Sequence, residues 1–306
     1  MKKILFLILA IFLLSSIFAQ SENAGTAAFQ FFNVPIGPRG VAMANAYLGL
    51  ANDELAPFWN PAGLPQIRNT KLGITYLNYL VGFNGGAVSY VIPVSEKSTM
   101  AIFSKFCGAN DFIRTYENGE EGGKFSAGDV LLGISYGKIL SPILNFGFNI
   151  KFISETLDDY NSQAIAADIG IFHQTTNPKL KLGIVAKNIG KQLTEFDIEE
   201  EKLPMTFAAG FAYNLDDGFI TIDVNKPMDN DYWGAIGIEK NVYPNFIFRC
   251  GYKTNANDWH TDSDLDFAAG FSAGFGFGWQ EYHFDYAINS LGELGFIHQI
   301  SVRYNL

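Results

Sequence analysis

Beyond its first eighteen residues, this 306-residue chain has no long hydrophobic run. A membrane-spanning helix needs roughly 20 apolar residues, so no helix of that kind is expected in the rest of the chain. Basic residues are scarce and scattered. There are 21 Lys and Arg against 31 Asp and Glu, a formal net charge of -10. Nucleic acid is excluded as a partner, because phosphate binding needs clustered cations. Only two cysteines occur, Cys107 and Cys250. Both sit in alternating apolar runs, so they read as packed or lipid-facing thiols and not as a disulfide framework. No Gly-x-Ser-x-Gly elbow or Cys-x-x-Cys pair is found. His173, His260, His283 and His298 lack the mutual spacing of a metal site. No catalytic residue, metal or cofactor is therefore nominated, and the expected protein is not an enzyme.

The first residues carry a different signal. Met1, Lys2 and Lys3 give a short positive start, Ile4 to Phe18 is apolar, and Ala19 precedes the polar Gln20, Ser21 and Glu22. This is the layout of a secretory signal peptide, with cleavage expected after Ala19, making 1–19 a leader.

What the rest of the chain has in quantity is Phe (28), Gly (31) and aromatic residues generally, at 15%. From about residue 69 the dominant period is two. Phe146, Phe148, Ile150 and Phe152 alternate with Asn145, Gly147, Asn149 and Lys151, which puts one oily and one wet face on a strand. Fourteen such segments are expected, near 69–79, 82–93, 97–107, 128–139, 142–155, 162–175, 177–189, 203–214, 217–226, 231–240, 244–254, 265–275, 278–290 and 294–306. Most reach the roughly 9–11 residues that a tilted strand needs to cross a bilayer, whereas soluble strands average about 5–6. Every second connection is tight and turn-forming, as at Ser141-Pro142 and Asp216-Asp217-Gly218. Those between are mostly longer and acidic, notably 108–127 and 190–202. Short turns on one side and long loops on the other are the habit of bacterial outer-membrane barrels. The expected fold is all-β: a 14-stranded antiparallel transmembrane β-barrel over 69–306, in the outer membrane and in contact with its lipid.

Two acidic clusters invite a metal reading: Glu195, Asp197, Glu199, Glu200 and Glu201, and Asp258, His260, Asp262 and Asp264. Neither has the Gly-punctuated spacing of a calcium loop, so both are read as solvated outer loops.

Residues 20–68 break the period. Asn33 to Gly40 is rich in Pro and Gly, Arg39 to Leu50 reads as a short helix, and Asn60-Pro61-Ala62-Gly63 is a turn signal leading to the first strand. Too short for a core of its own, this segment is expected to fold into the barrel as a helical or irregular hatch. Buried charges need partners, so Arg39 and Asp53 should each be paired with the wall or within the hatch.

The stretch from Gly37 to Leu64 closely resembles the N-terminal signature of the PorV/PorQ family, met here by Gly37, Arg39, Met43, Asp53, Asn60, Pro61, Ala62, Gly63 and Leu64. Ala44 departs from it, a Gly often following the Met. Weaker strand motifs extend the resemblance over most of the chain, among them Gly123 to Leu140, Gly183 to Gly190 and Leu291 to Tyr304. That family is similar to FadL-type barrels with an N-terminal hatch. The resemblance implies a role in protein export or surface attachment of the type IX secretion kind, with secreted cargo or secretion-machinery components as partners. The alternative it implies is a FadL-like channel for uptake of hydrophobic small molecules.

Overall fold

The computed structural model describes residues 25–194, 201–259, 263 and 265–306. The leader and its cleavage site, most of the first acidic cluster (Glu195, Asp197, Glu199 and Glu200), and His260, Asp262 and Asp264 lie outside the described residues.

Fourteen strands form one closed antiparallel barrel. They are β1 (Lys71–Asn78), β2 (Asn84–Ser95), β3 (Ser98–Thr115), β4 (Glu121–Ser141), β5 (Leu144–Leu157), β6 (Tyr160–Gln174), β7 (Leu180–Thr194), β8 (Thr206–Asn214), β9 (Gly218–Pro227), β10 (Trp233–Tyr243), β11 (Phe246–Lys253), β12 (Phe271–Trp279), β13 (Tyr282–Ser290) and β14 (Phe296–Asn305). Each pairs with its sequence neighbours, and β14 closes on β1 with Val302 opposite Ile74. Closure removes the free edges that hydrocarbon cannot satisfy.

The alternation has the polarity of a membrane protein. On β5, Phe148, Ile150 and Phe152 face outward and exposed, while Asn149, Lys151 and Ile153 are buried inside. The other strands repeat the pattern, with Ile102, Leu132, Ile184 and Ile300 among the outward residues. A continuous exposed apolar belt is what lipid requires. Tyr243, Trp279 and Tyr282, exposed at the short-turn rim, sit where aromatic girdles form.

Short connections (96–97, 142–143, 175–179, 215–217, 244–245 and 280–281) lie on the side where β14 ends. The opposite side carries the two longest, 195–205 and 254–270; 79–83, 116–120, 228–232 and 291–295 match 175–179 in length, and 158–159 is as tight as any. Two expectations need correction there. The stretch 108–127 is mostly strand: β3 and β4 stay paired, Phe112 opposite Phe125, and only 116–120 turns. Acidic and Gly-rich residues mark loops in soluble folds, yet a strand beyond the bilayer is free to be polar on both faces. Conversely, the segment expected from residue 265 pairs only from Phe271, because Asp266–Ala268 winds into a 3-10 turn and Gly270 turns the chain at φ +84°.

Inside the barrel lies the chain from Ala27 to Ile67. It holds a 3-10 turn (Gln30–Asn33), α1 (Pro38–Ala42), α2 (Ala56–Trp59) and a 3-10 helix (Pro61–Gln66). It bonds to walls all round the ring: Ser89 on β2, Lys105 on β3, Asn149 on β5, Asp223 on β9, Glu239 on β10 and Gln299 on β14. The helix expected from Arg39 to Leu50 ends at Ala42. Ala44 and Asn45 turn left-handed, at φ 53° and 73°, and the backbone N–H groups of Tyr47 and Leu48 donate to the Asp223 carboxylate at 2.8 and 2.9 Å. So short a helix has little stability of its own, and bonds to the wall decide its end.

Glycines on the inner face let this segment lie directly on the wall. Gly137, Gly147 and Gly170 are register neighbours on β4, β5 and β6. A Cβ on Gly147 would collide with the Pro61–Ala62 peptide, and one on Gly251 with the Met43–Ala44 peptide. Part of the high glycine content is therefore a plug–wall contact surface.

Candidate functional site: a plugged lumen and the cavity above it

The lumen has two layers. The lower one is a network of buried charges. Arg39 donates to both oxygens of Glu239, at 2.7 and 2.8 Å, and to the Tyr47 hydroxyl and the Asn52 amide at 3.0 and 2.8 Å. Asp53 lies 3.5 Å from Arg39, accepts the Tyr47 O–H at 2.5 Å and accepts the Leu55 N–H at 3.1 Å. Burial pushes the Tyr47 hydroxyl well above its usual range, so it stays a neutral donor. Glu239 is shared with Arg249 at 2.7 Å, Arg249 reaches Asp285 at 2.5 Å, and His283 stands 3.4 Å from Asp285. Arg303 pairs with Glu54 at 3.2 Å. Burial pushes the Glu54 carboxyl up to about 7, Arg303 opposing the shift and Asp53 adding to it.

The signature residues all fall in this lower layer and are buried or nearly so. Gly37, at φ 110°, donates its N–H to Gln299 at 2.9 Å. Arg39 finds the wall through Glu239, and Asp53 finds Arg39 and Tyr47 within the plug. Met43 packs on Gly237 and Gly251. Asn60 does more than turn the chain. Its side chain accepts the Ala62 N–H at 3.1 Å, capping the 3-10 helix that Pro61 starts, and donates to the Ile171 carbonyl at 3.1 Å. Leu64 is buried against Gly137, and a Cβ on Gly63 would strike the Ala51 carbonyl. Sequence reading missed Glu54, Asp223, Glu239, Arg249, Asp285 and Arg303. The available signal was phase: each wall residue among them stands on the inward beat of its strand.

The upper layer is a cavity of about 600 Å³. Leu48, Pro57, Phe58 and Trp59 form its floor. Phe31, Phe32, Val34 and Ile36 of the first plug turn close one side. Phe103, Cys107, Leu131 and Ile297 line the wall of β3, β4 and β14. Phe58 and Phe103 meet edge to face, with centroids 5.0 Å apart. Four lysines line it: Lys105, Lys151, Lys187 and Lys253. Lys105 Nζ donates to the carbonyls of Phe31 (2.5 Å), Phe32 (3.3 Å) and Val34 (2.9 Å). Lys151 pairs with Asp168 at 2.6 Å, and Lys187 donates to the Phe58 carbonyl at 3.2 Å. Both cysteines are free thiols. Cys107 is buried at the cavity and Cys250 half-buried on β11. His298 accompanies Tyr286, ring nitrogen to hydroxyl at 2.8 Å, and belongs to the wall. Among the described residues no group of His, Cys, Asp and Glu is arranged to hold a metal.

The volume suits one small organic molecule, and the lining mixes apolar side chains with polar and charged ones.

No family model matches the sequence, and no curated protein matches it either. Solved structures do match in fold. A deltaS2S3 mutant of TodX, described as a monoaromatic hydrocarbon channel, gives a TM-score of 0.65 at 12% identity, covering 88% of this chain and 99% of that one. CymD, also described as a monoaromatic hydrocarbon channel, gives 0.63 at 13%, covering 89% and 98%. The Ralstonia pickettii toluene transporter TbuX gives 0.63 at 11%, covering 89% and 98%. At such identity the likeness is one of fold. It accords with the FadL-type side of the resemblance read from the sequence; none of the three is described as a PorV/PorQ or type IX secretion protein.

Proposed function

We propose that this chain is an outer-membrane channel for hydrophobic small molecules. The observation that carries the reading is the lumenal cavity, walled in part by Phe31, Phe58, Phe103 and Leu131 and stopped below by the charge network. A hydrophobic solute entering from the long-loop side gains by leaving water, roughly 25 cal/mol per Å² of apolar surface covered. It is then held above a floor that excludes ions. The solved structures of like fold, described as hydrocarbon channels and toluene transporters, support the same reading.

The export or attachment role implied by the PorV/PorQ resemblance is less well supported. Its signature residues are all spent inside the lumen, where seating the plug against the wall accounts for them, and none is free to meet a cargo protein. On this reading Gly37, Arg39, Met43, Asp53 and Asn60 to Leu64 are plug-seating residues.

The test is uptake of labelled toluene by cells carrying the chain in an outer membrane whose own hydrocarbon channels are deleted. Uptake should rise above the empty-vector control, and Leu131→Arg, which puts a charge into the cavity, should abolish the gain. An unchanged uptake rate, together with loss of surface proteins from the native strain on deletion of the gene, would reverse the ranking toward export.

A further inference from the structure

The two sides of the cavity differ in kind. On one side, β3 and β4 present Phe103 and Leu131. Across the lumen, Asn225 on β9, Trp233 at the start of β10 and Asn255 in the turn after β11 reach the lining, with Asp229 between β9 and β10. β3 and β10 stand half-way round the ring from each other, so Phe103 and Leu131, with Lys105 and Asp129 on the same strands, face Asn225, Asp229 and Asn255 across the lumen.

Satisfaction of the polar groups separates the sides further. The Lys105 ammonium is surrounded by three carbonyls, and Lys151 is matched by Asp168 and by Asn188 at 2.5 Å. Lys187 has the Phe58 carbonyl and lies 5.6 Å from the centre of the Trp59 ring. Lys253, on the polar side, is engaged by the protein as well. The cations therefore do not call for an anionic ligand. In contrast, Asn225 Nδ2, Asp229 Oδ1 and Asn255 Oδ1 are shielded from solvent and have no partner in the protein; the other Asp229 oxygen takes the Gln30 amide at 3.0 Å. A buried polar atom left unmatched is costly. All three residues line the cavity, and the last side-chain torsion of an amide or carboxyl is broad.

We infer that the cavity selects a hydrophobic molecule bearing an uncharged hydroxyl head, an alcohol or phenol, whose apolar part lies on the Phe103 and Leu131 wall and whose hydroxyl lies on the Asn225, Asp229 and Asn255 wall. A hydroxyl both donates and accepts. It can accept from the Asn225 amide and donate its one hydrogen to the Asp229 or the Asn255 oxygen, matching two of the three atoms. A carboxylate would meet the charge of Asp229, and a plain hydrocarbon would leave all three atoms unmatched. A site built around hydrogen-bonding groups discriminates strongly against an analogue that lacks the matching group.

This inference rests on the channel reading, and one experiment separates the two. The full chain in lipid nanodiscs is titrated with three probes of one skeleton: butylbenzene, 4-butylphenol and 4-butylbenzoate. Quenching of tryptophan fluorescence, with Trp59 and Trp233 at the cavity, is corrected for partition into protein-free nanodiscs. The phenol should bind about tenfold tighter than the hydrocarbon, the effect of roughly one matched hydrogen bond, and tighter than the benzoate. Asn225→Leu and Asn255→Leu, made separately and together, should erase that preference while butylbenzene still binds, which also shows that the variants are folded. Equal affinity for phenol and hydrocarbon, a tighter benzoate, or a preference that survives both substitutions would overturn the hydroxyl inference and leave the channel standing. Absence of binding by all three probes would overturn both.

Discussion

The two halves of the plug are held in opposite ways. From Gly37 to Gln66 the segment is fixed by charge pairs to β10 and β14 and by backbone pressed onto wall glycines. From Ala27 to Ile36 it is held by the Lys105 ammonium, the Gln299 amide on the Pro35 carbonyl, a parallel bridge from Ala27 to Lys202, and apolar contact. The first arrangement makes a floor that cannot shift without baring charge. The second makes a cavity side that can move at smaller cost. The division also matches position: the half from Gly37 to Gln66 faces the short-turn rim, and the half from Ala27 to Ile36 faces the longer loops.

The sharpest way to break this comparison is Glu239→Ala, which strips two buried guanidiniums, Arg39 and Arg249, of a shared carboxylate. Removing one partner of a buried pair costs about 3–5 kcal/mol. Urea unfolding of the detergent-solubilised barrel should show a loss of that order, and planar-bilayer recordings should show new ion leakage. A stable, silent variant would mean that the network does not hold the floor. Next in size is Gly251→Val, which overfills the Met43 contact. An overpacked site costs about 1–3 kcal/mol, read in the same unfolding experiment, while the equivalent change at Gly82, where a Cβ meets nothing, serves as the strained-turn control.

Lys105→Met tests the looser half. Losing the bonds to three carbonyls should cost about 1–2 kcal/mol, and freeing the 31–34 turn should speed labelling of Cys107 by a maleimide severalfold. If the labelling rate matches that of the parent, the upper half is as fixed as the lower. Smaller again is a pH effect. The folded Glu54 carboxyl is raised to about 7, above the roughly 4.3 of an unfolded chain. Its contribution is fully present below about pH 4 and is lost as pH rises through 7. The melting temperature should therefore fall between pH 5 and pH 8, and Glu54→Gln should flatten that slope. The smallest effect is expected at the exposed Lys124–Asp111 pair on the protruding hairpin, where Lys124→Ala should leave stability unchanged, as such pairs contribute little.

How legible these features were depends on distance along the chain. Residues 142–155 announced β5 because lipid imposes a strict period of two on neighbours in sequence, and the observed strand, Leu144–Leu157, differs only at its ends. The reach of β3 to Thr115 was hidden because outside the bilayer that period relaxes. A pairing requirement was legible for Arg39 and Asp53 from charge alone. Their partners were not: Glu239 lies two hundred positions from Arg39, and Tyr47 joins Asp53 only because the helix stops at Ala42.

By itself, then, the sequence determined a closed barrel with fourteen oily outer faces, since that pattern is written residue by residue and hydrocarbon admits only one arrangement of it. Only the tertiary structure decided what the lumen is. Closure sets Phe103 on β3 across from Asn225 on β9 and seats a segment made before the first strand between them. A constraint satisfied by contact around a ring leaves no period in the chain to read.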